Sequence, residues 1–271
     1  MGTDKRERQK AGRQSRRVEA ESAARKARTR SAFIKWGLFA LLILALIVGF
    51  TVFSNNDSND DTSTTGTTTA APTTTITPTE CPPAEGTPAP VLEFAAPFAM
   101  CIDPAKSYTA VFTTSEGEIR VALDTDKTPN TVNNFVALAR NRYYDGTQIF
   151  RTDTGIEIIQ GGSPHTNNAS DPGPGFSIPD EGSDFTYSPG QLVMARTNAP
   201  NSAGAQFFFV AGDKASALDA QGTYVVFGTA DDAGLGVVQS ILALNQDDPT
   251  SGLGGAPSRP VTIQSVRIEE A

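Results

Sequence analysis

Histidine and cysteine, the side chains most used as proton carrier, nucleophile or transition-metal ligand, are scarce in this 271-residue sequence. There is one histidine, His165, in the polar stretch GSPHTNN, and there are two cysteines, Cys81 and Cys101. A histidine without a partner motif excludes a hydrolase triad and a multi-histidine metal centre, and it reads as a surface-loop residue. Two cysteines and one distant histidine do not supply the four ligands of a structural zinc site, so no metal is expected. GPGF at 173–176 and GLGG at 252–255 lack the strand-to-helix context of a phosphate loop and read as turns. Nothing in this inventory requires a cofactor.

The elements that would position a site fall into segments of unlike composition. The length allows one sizeable domain with appendages. Residues 1–35 carry 12 Lys/Arg against 4 Asp/Glu, a net of +8, and the remainder carries 10 against 26, a net of −16. The basic residues lie in a tail without interleaved aromatic residues to stack bases, so no nucleic-acid partner is expected. The run IKWGLFALLILALIVGFTVF, Ile34 to Phe53, is about twenty residues long with Lys35 its only charge, enough to span a hydrocarbon core of ~30 Å. It is longer than the apolar core of a cleaved leader, no small-x-small site follows it, and no cysteine is placed for lipid attachment. The expected organisation is a basic cytoplasmic tail over 1–33 and a transmembrane helix in the lipid bilayer over 34–53, with Trp36 at the inner interface. The positive-inside tendency puts the rest outside the cytoplasm.

Residues 54–90, dominated by Thr, Ser, Asn, Asp and Pro, bury too little apolar surface to fold and read as a linker. A junction segment over 91–106 and a folded domain over 107–271 follow. Cys81 and Cys101 flank the junction on the outer, oxidising side, where an even cysteine count favours a disulfide. Closing a loop of that size stabilises by roughly 3 kcal/mol.

From Tyr108 the pattern turns to β. YTAVFTT and GEIRVALD alternate apolar and polar residues around a turn at Ser115-Glu116-Gly117 and predict a hairpin. A helix follows, with Thr128 as N-cap, Pro129 in its first turn, and Val132, Phe135, Val136 and Ala139 along one face. QLVMA, QFFFV, YVVFG and VTIQSVRI predict further strands, and GLGVVQSILALN a second helix. Alternation in QFFFV sets Phe208 on one face and Phe207 and Phe209 on the other.

Four stretches, in order, resemble the cyclophilin family in a bacterial, membrane-anchored form. TVNNFVALARNRYYDGT resembles the family's TVxNFxxLxxxGxYDGT, and QGG at 160–162 its glutamine-glycine-glycine loop. MARTNAPNSAGAQFFFVAG resembles its MAxxxxPNSxxSQFFI, and YVVFG at 224–228 is a further anchor. The resemblance runs from residue 108 to 268. It implies a mainly β fold, a closed eight-stranded antiparallel β-barrel capped by two α-helices, and peptidyl-prolyl cis-trans isomerase activity on proline-containing segments of unfolded or exported proteins. The alternative implied is a catalytically weak cyclophilin-like module that binds such segments as a chaperone or assembly factor.

Rotation about an X-Pro amide crosses a barrier of roughly 20 kcal/mol without making or breaking a bond. Catalysis then needs a site that binds the twisted amide better than either planar form. By the resemblance, Arg151 is the donor to the twisted amide, Gln160 orients the substrate backbone and Phe208 forms the base of the proline pocket. Ile158, Met194, Ala195, Leu218 and Tyr224 fall at substrate-binding positions. The loop from Arg151 to Gln160 is one residue longer than the family's, and another placement of that residue puts Thr152 in the arginine's place. Glu157 stands where relatives carry phenylalanine, and a carboxylate there is expected to weaken proline binding or to pair with Arg151. Ala217 replaces a bulky aromatic that the family uses to bind the cyclic peptide ciclosporin, so weak inhibitor binding is expected.

Overall fold

The computed structural model describes residues 77–271. The basic tail, the apolar run expected to cross the membrane and most of the linker lie outside the described residues. Among the described residues no helix is long and apolar enough to span a bilayer.

The hairpin forms as its alternation dictates. Strands β1 (Tyr108–Thr114) and β2 (Gly117–Leu123) pair in register from Thr109↔Ala122 to Thr114↔Gly117. Ile119 and Val121 are buried while Glu118 and Arg120 face out. Helix α1 (Pro129–Arg140) starts at the expected proline, but Thr128 makes no side-chain cap. The Glu181 carboxylate, fifty residues away in sequence, accepts the Asn130 and Thr131 N–H groups at 3.0 and 2.8 Å. It thereby satisfies two orphan donors and places a negative charge at the positive end of the helix.

The remaining strands are β3 (Thr147–Gln148), β4 (Arg151–Asp153), β5 (Ile158–Gly161), β6 (Gln191–Met194), β7 (Phe207–Val210), β8 (Val226–Ala230), β9 (Asn245–Asp247), β10 (Gly255–Pro257) and β11 (Thr262–Glu270). A 3-10 turn over Asp213–Leu218 precedes β8, and α2 (Asp232–Leu242) follows it, N-capped by Asp231 onto the Gly234 N–H at 2.7 Å. All strands join one curled antiparallel sheet in the order β3-β11-β1-β2-β8-β6-β7-β5-β4-β10-β9. Among the described residues the expected eight strands are corrected to eleven. Residues 147–153 form one extended segment that leaves β11 after two residues and joins β5 three residues later, so it counts as two strands. The hairpin β9–β10, too short and polar to register as an apolar run, supplies the other two. Among the described residues no ladder joins the two ends of this order, so the sheet is a half-barrel bridged by the 147–153 segment.

Phe112, Phe135, Tyr144, Phe207, Phe209 and Phe227 fill the interior, with Phe135 stacked on Tyr144 at 5.1 Å. Burying one such ring stabilises by roughly 1.5–3 kcal/mol. Both flanks of α1 are covered, because an N-terminal arm crosses its polar side. The Asn133 side chain accepts the Cys101 N–H at 2.6 Å and donates to Ala99 O at 2.9 Å.

Residues 77–90, which composition assigns to the linker, run along the domain. Thr79 bridges Phe98, the Thr87 N–H donates to Arg140 O at 2.8 Å, and Arg142 donates to Pro88 O at 2.7 Å. Cys81 and Cys101 are joined as a disulfide across 20 positions of sequence. The Phe94, Phe98 and Phe176 rings meet edge-on at 4.7 to 6.3 Å.

Candidate active site

The site is built on the outer face of β4, β5 and β7. Register pairs Arg151 with Gln160 and Gln160 with Phe208, so three side chains from three neighbouring strands stand in one row across the sheet. Thr152, one residue on, points the other way: it is fully buried, and its hydroxyl bonds to the Asn245 side chain at 2.6 Å. Arg151 faces the groove and Thr152 the interior. Beyond the Gln160 end of β5, Gly162 takes φ +92, and a Cβ there would lie 2.8 Å from Ala205 O; glycine alone lets the chain turn this close to β7.

Alternation divides the phenylalanines as expected. Phe207 and Phe209 belong to the interior, whereas Phe208 joins a separate apolar cluster with Ile158, Val193, Val210, Ala215 and Tyr187. Ala195, Leu218 and Tyr224 pack around this second cluster, and the Phe208 and Tyr224 rings meet edge-on at 5.7 Å. Met194 is the exception among the residues assigned to substrate binding. It pairs with Phe207 across β6 and β7 and points into the barrel, because Ala195, its neighbour, takes the outward position. The other seven, Arg151, Gln160, Phe208, Ile158, Ala195, Leu218 and Tyr224, line one groove of about 780 Å3.

Polar contacts fix the end of the groove where Arg151 sits. Arg151 Nη1 donates to Gln160 Oε1 at 2.9 Å, Nη2 to Asp153 Oδ2 at 2.8 Å, and Nε to Leu253 O. A guanidinium only donates, so the oxygen of the Gln160 amide must face it and the NH2 must face away. That NH2 donates to Gln206 Oε1 at 3.0 Å, and Gln206 Nε2 continues to Ala169 O at 3.3 Å. Gln206 is a groove residue that sequence reasoning passed over. The signal was present, since Gln206 stands two places before Phe208 and so shares its face.

The opposite end is apolar with buried polar support. The Tyr187 hydroxyl donates to Tyr224 O at 3.1 Å and accepts the Tyr224 N–H at 2.9 Å. Burial pushes the Tyr187 phenol up to about 12, which keeps it protonated and able to donate. Glu157 forms no ion pair with Arg151. Its carboxylate pairs with Lys214 Nζ at 2.9 Å and accepts the Lys214 N–H at 3.1 Å, and those bonds hold its pKa below the usual carboxylate range. Ala217 is exposed and leaves that side of the groove open. His165 lies in a loop, as expected, and there it is half-buried and bonded through Nδ1 to the buried Asp171 carboxylate at 3.1 Å. Asp171 also accepts the His165, Thr166 and Gly173 N–H groups, which fixes the loop forming the groove's third side.

A groove with the Arg151 guanidinium held in one orientation, a second arginine, Arg196, paired with Asp180 at 3.2 Å, two chained amides and an apolar floor has no activated nucleophile. It suits recognition of an amide next to a compact apolar ring.

The sequence pattern of the family described as "Cyclophilin type peptidyl-prolyl cis-trans isomerase/CLD" matches residues 109–268, more than half of the chain. The peptidyl-prolyl cis-trans isomerase of Synechococcus elongatus is 38% identical over 133 residues, covering 49% of this chain and 87% of that protein. That of Streptomyces antibioticus is 35% identical, covering 59% of this chain and 98% of its own. The crystal structure of a cyclophilin type peptidyl-prolyl cis-trans isomerase from Cryptosporidium parvum superposes with a TM-score of 0.50 at 26% identity, over 60% of this chain and 98% of the other.

Proposed function

The chain belongs to the cyclophilin-type peptidyl-prolyl cis-trans isomerases and is an enzyme of that type, and from this premise we propose how it acts and where. The observation that carries the reading is the row Arg151–Gln160–Phe208 on three paired strands. A substrate proline seats over Phe208, among Ile158, Ala195, Leu218 and Tyr224. Gln160 and Gln206 hold the flanking backbone through the amide atoms that their mutual bond leaves free. Arg151 has five N–H groups, of which three are engaged, leaving one on each terminal nitrogen. In the planar amide the prolyl nitrogen shares its lone pair with the carbonyl; in the twisted amide the lone pair is localised and accepts a hydrogen bond. A donor waiting there binds the twisted form selectively, which lowers the barrier.

The pairing of Glu157 with Lys214 supports an apolar, working pocket, since the carboxylate is engaged away from Arg151. The substrates are proline-containing segments of exported or envelope proteins, refolding outside the cytoplasm, with residues 34–53 as the bilayer anchor. The apolar run behind a basic tail supports that location, as does the bond between Cys81 and Cys101, a pairing typical of oxidising compartments.

Exchange NMR on an Ala-Pro peptide with the full chain in detergent tests the chemistry. Arg151→Ala is expected to lower kcat/KM by about tenfold to a hundredfold, the worth of one charge-assisted bond at roughly 1.5–3 kcal/mol. Unchanged turnover would refute the assignment of Arg151. Protease accessibility of the domain in intact and in permeabilised cells tests the location, and protection until the inner membrane is opened would refute it.

A further inference from the structure

We propose that Asp153 is the positioning residue for Arg151, setting the direction of the two N–H groups left for substrate. The proposal rests on the reading of Arg151 as donor. Asp153 follows Arg151 by two residues in β4 and so stands on the same face. The two side chains are largely buried, with 17% of Arg151 and 16% of Asp153 exposed, and Nη2 meets Oδ2 at 2.8 Å.

The carboxylate is itself held from two sides. Oδ1 accepts the Gly155 N–H at 2.9 Å and the Ile156 N–H at 3.3 Å, which locks the group into the β4–β5 turn. On the other side the β9–β10 loop presses against it: a Cβ at Gly254, where φ is +91, would lie 2.7 Å from Asp153 Cγ. The same loop supplies Leu253 O to Arg151 Nε. Three acceptors thus hold the three guanidinium nitrogens: a turn-locked carboxylate, a backbone carbonyl and the Gln160 amide. With all three in place the planar fork has one orientation. Without the carboxylate, Nη2 loses its only partner, and the plane is held along one edge.

The pairing has an opposing consequence. An anion beside the guanidinium lowers the positive potential that the substrate meets, so a role through charge alone predicts faster turnover when Asp153 is neutralised. A lone pair emerging from a twisted amide has a definite direction, and a misaimed donor loses more than an added field restores. Positioning therefore outweighs potential, and loss of the carboxylate slows the reaction.

Asparagine separates the two jobs of Asp153. Its side-chain oxygen still accepts from Gly155 and Ile156, preserving the turn, but it presents an NH2 to Arg151 where a carboxylate oxygen stood. In exchange NMR with the full chain, Asp153→Asn is expected to lower kcat by about tenfold with KM within about twofold of wild type, and with an unchanged melting temperature. Asp153→Ala is expected to match it in kcat. In an Arg151→Ala background, Asp153→Asn is expected to change kcat by less than about twofold, because the partner through which it acts is gone. Wild-type or faster turnover by Asp153→Asn, or a tenfold loss that persists without Arg151, overturns the proposal. If Arg151→Ala alone leaves turnover unchanged, the reading of the donor falls and takes this one with it. If Arg151→Ala is slow and Asp153→Asn is normal, the positioning role alone falls.

Discussion

The inner and outer faces of β7 carry the same residue type and meet different surroundings. Phe207 and Phe209 are sealed in a cluster where Phe112, Phe135 and Tyr144 contact them edge-on at 5.3 to 6.2 Å. Phe208, between them, is 3% exposed and packs against Tyr224 and Ile158, with the groove above it. One strand therefore contributes two rings to the interior and one to the groove, and side-chain alternation alone separates the two faces. Phe207→Ala is expected to destabilise by about 3–5 kcal/mol in denaturant titration, because the rigid interior cannot collapse onto the void. Phe208→Ala is expected to raise KM for an Ala-Pro peptide while costing clearly less stability. Equal losses of stability at the two positions would erase the distinction between the faces.

The N-terminal arm extends the comparison to a region with little regular structure. It lies over α1 and contacts the groove loop through the Phe94–Phe176 pair and a bond from the Phe94 N–H to Pro174 O at 2.9 Å. The disulfide holds this arm in place, and Cys81→Ser/Cys101→Ser is expected to cost roughly 3 kcal/mol of stability by the chain-entropy argument. A double serine variant that unfolds at the same denaturant concentration as wild type would show that the aromatic contacts suffice without the cross-link.

A smaller, pH-dependent effect sits at the turn after α1. Burial pushes the Asp145 carboxyl up, but hydrogen bonds from Arg267 and Arg142 and from the Val266 N–H outweigh it and hold the pKa below the usual carboxylate range. A carboxyl that is more acidic folded than unfolded stabilises above its unfolded pKa of about 3.9 and loses that contribution as pH falls through the folded value. Stability is expected to drop on acidification below about pH 4, and Asp145→Asn is expected to flatten that part of the curve. A variant that retains the full acid dependence would place its origin elsewhere, for example at Asp171, whose pKa is also depressed.

Period-2 alternation and ordered motifs made much of this legible. Local pattern carried β1, β2, β7 and the start of α1, which neighbours close in sequence fix; the motifs carried Arg151, Gln160 and Phe208 one by one, and it is register across β4, β5 and β7 that sets them in a row. What escaped depends on contacts made across long separations. Glu181 caps α1 from fifty residues away, so the local Thr128 is the residue a sequence reading selects. Asp153 lies only two residues from Arg151, yet its role depends on the β9–β10 loop meeting it from a hundred residues further on. Residues 77–90 look like linker because their composition is poor in apolar side chains, and backbone bonds with a disulfide hold them. Met194 was misplaced for a local reason: a motif carries the residue's name but not the direction in which its side chain leaves the strand.

The least protected part of the outer face is the side at residue 217. The 3-10 turn over Asp213–Leu218 sends Leu218 into the groove and leaves Ala217 exposed, so a ligand wider than one proline ring finds no aromatic surface there. A cyclic peptide that relies on such a surface is therefore expected to inhibit poorly. Restoring the ring by Ala217→Trp is expected to tighten ciclosporin roughly tenfold, the scale of one well-placed aromatic contact. Turnover of a short Ala-Pro peptide should stay close to wild type, because in the proposed seating the proline lies over Phe208 beside Leu218 and does not reach that edge. Titration of the full chain with ciclosporin during the exchange measurement reads both quantities at once. Strong inhibition of the wild-type protein would mean that the floor around Phe208 binds the inhibitor without that wall, and that the outer face is more self-sufficient than its open side implies.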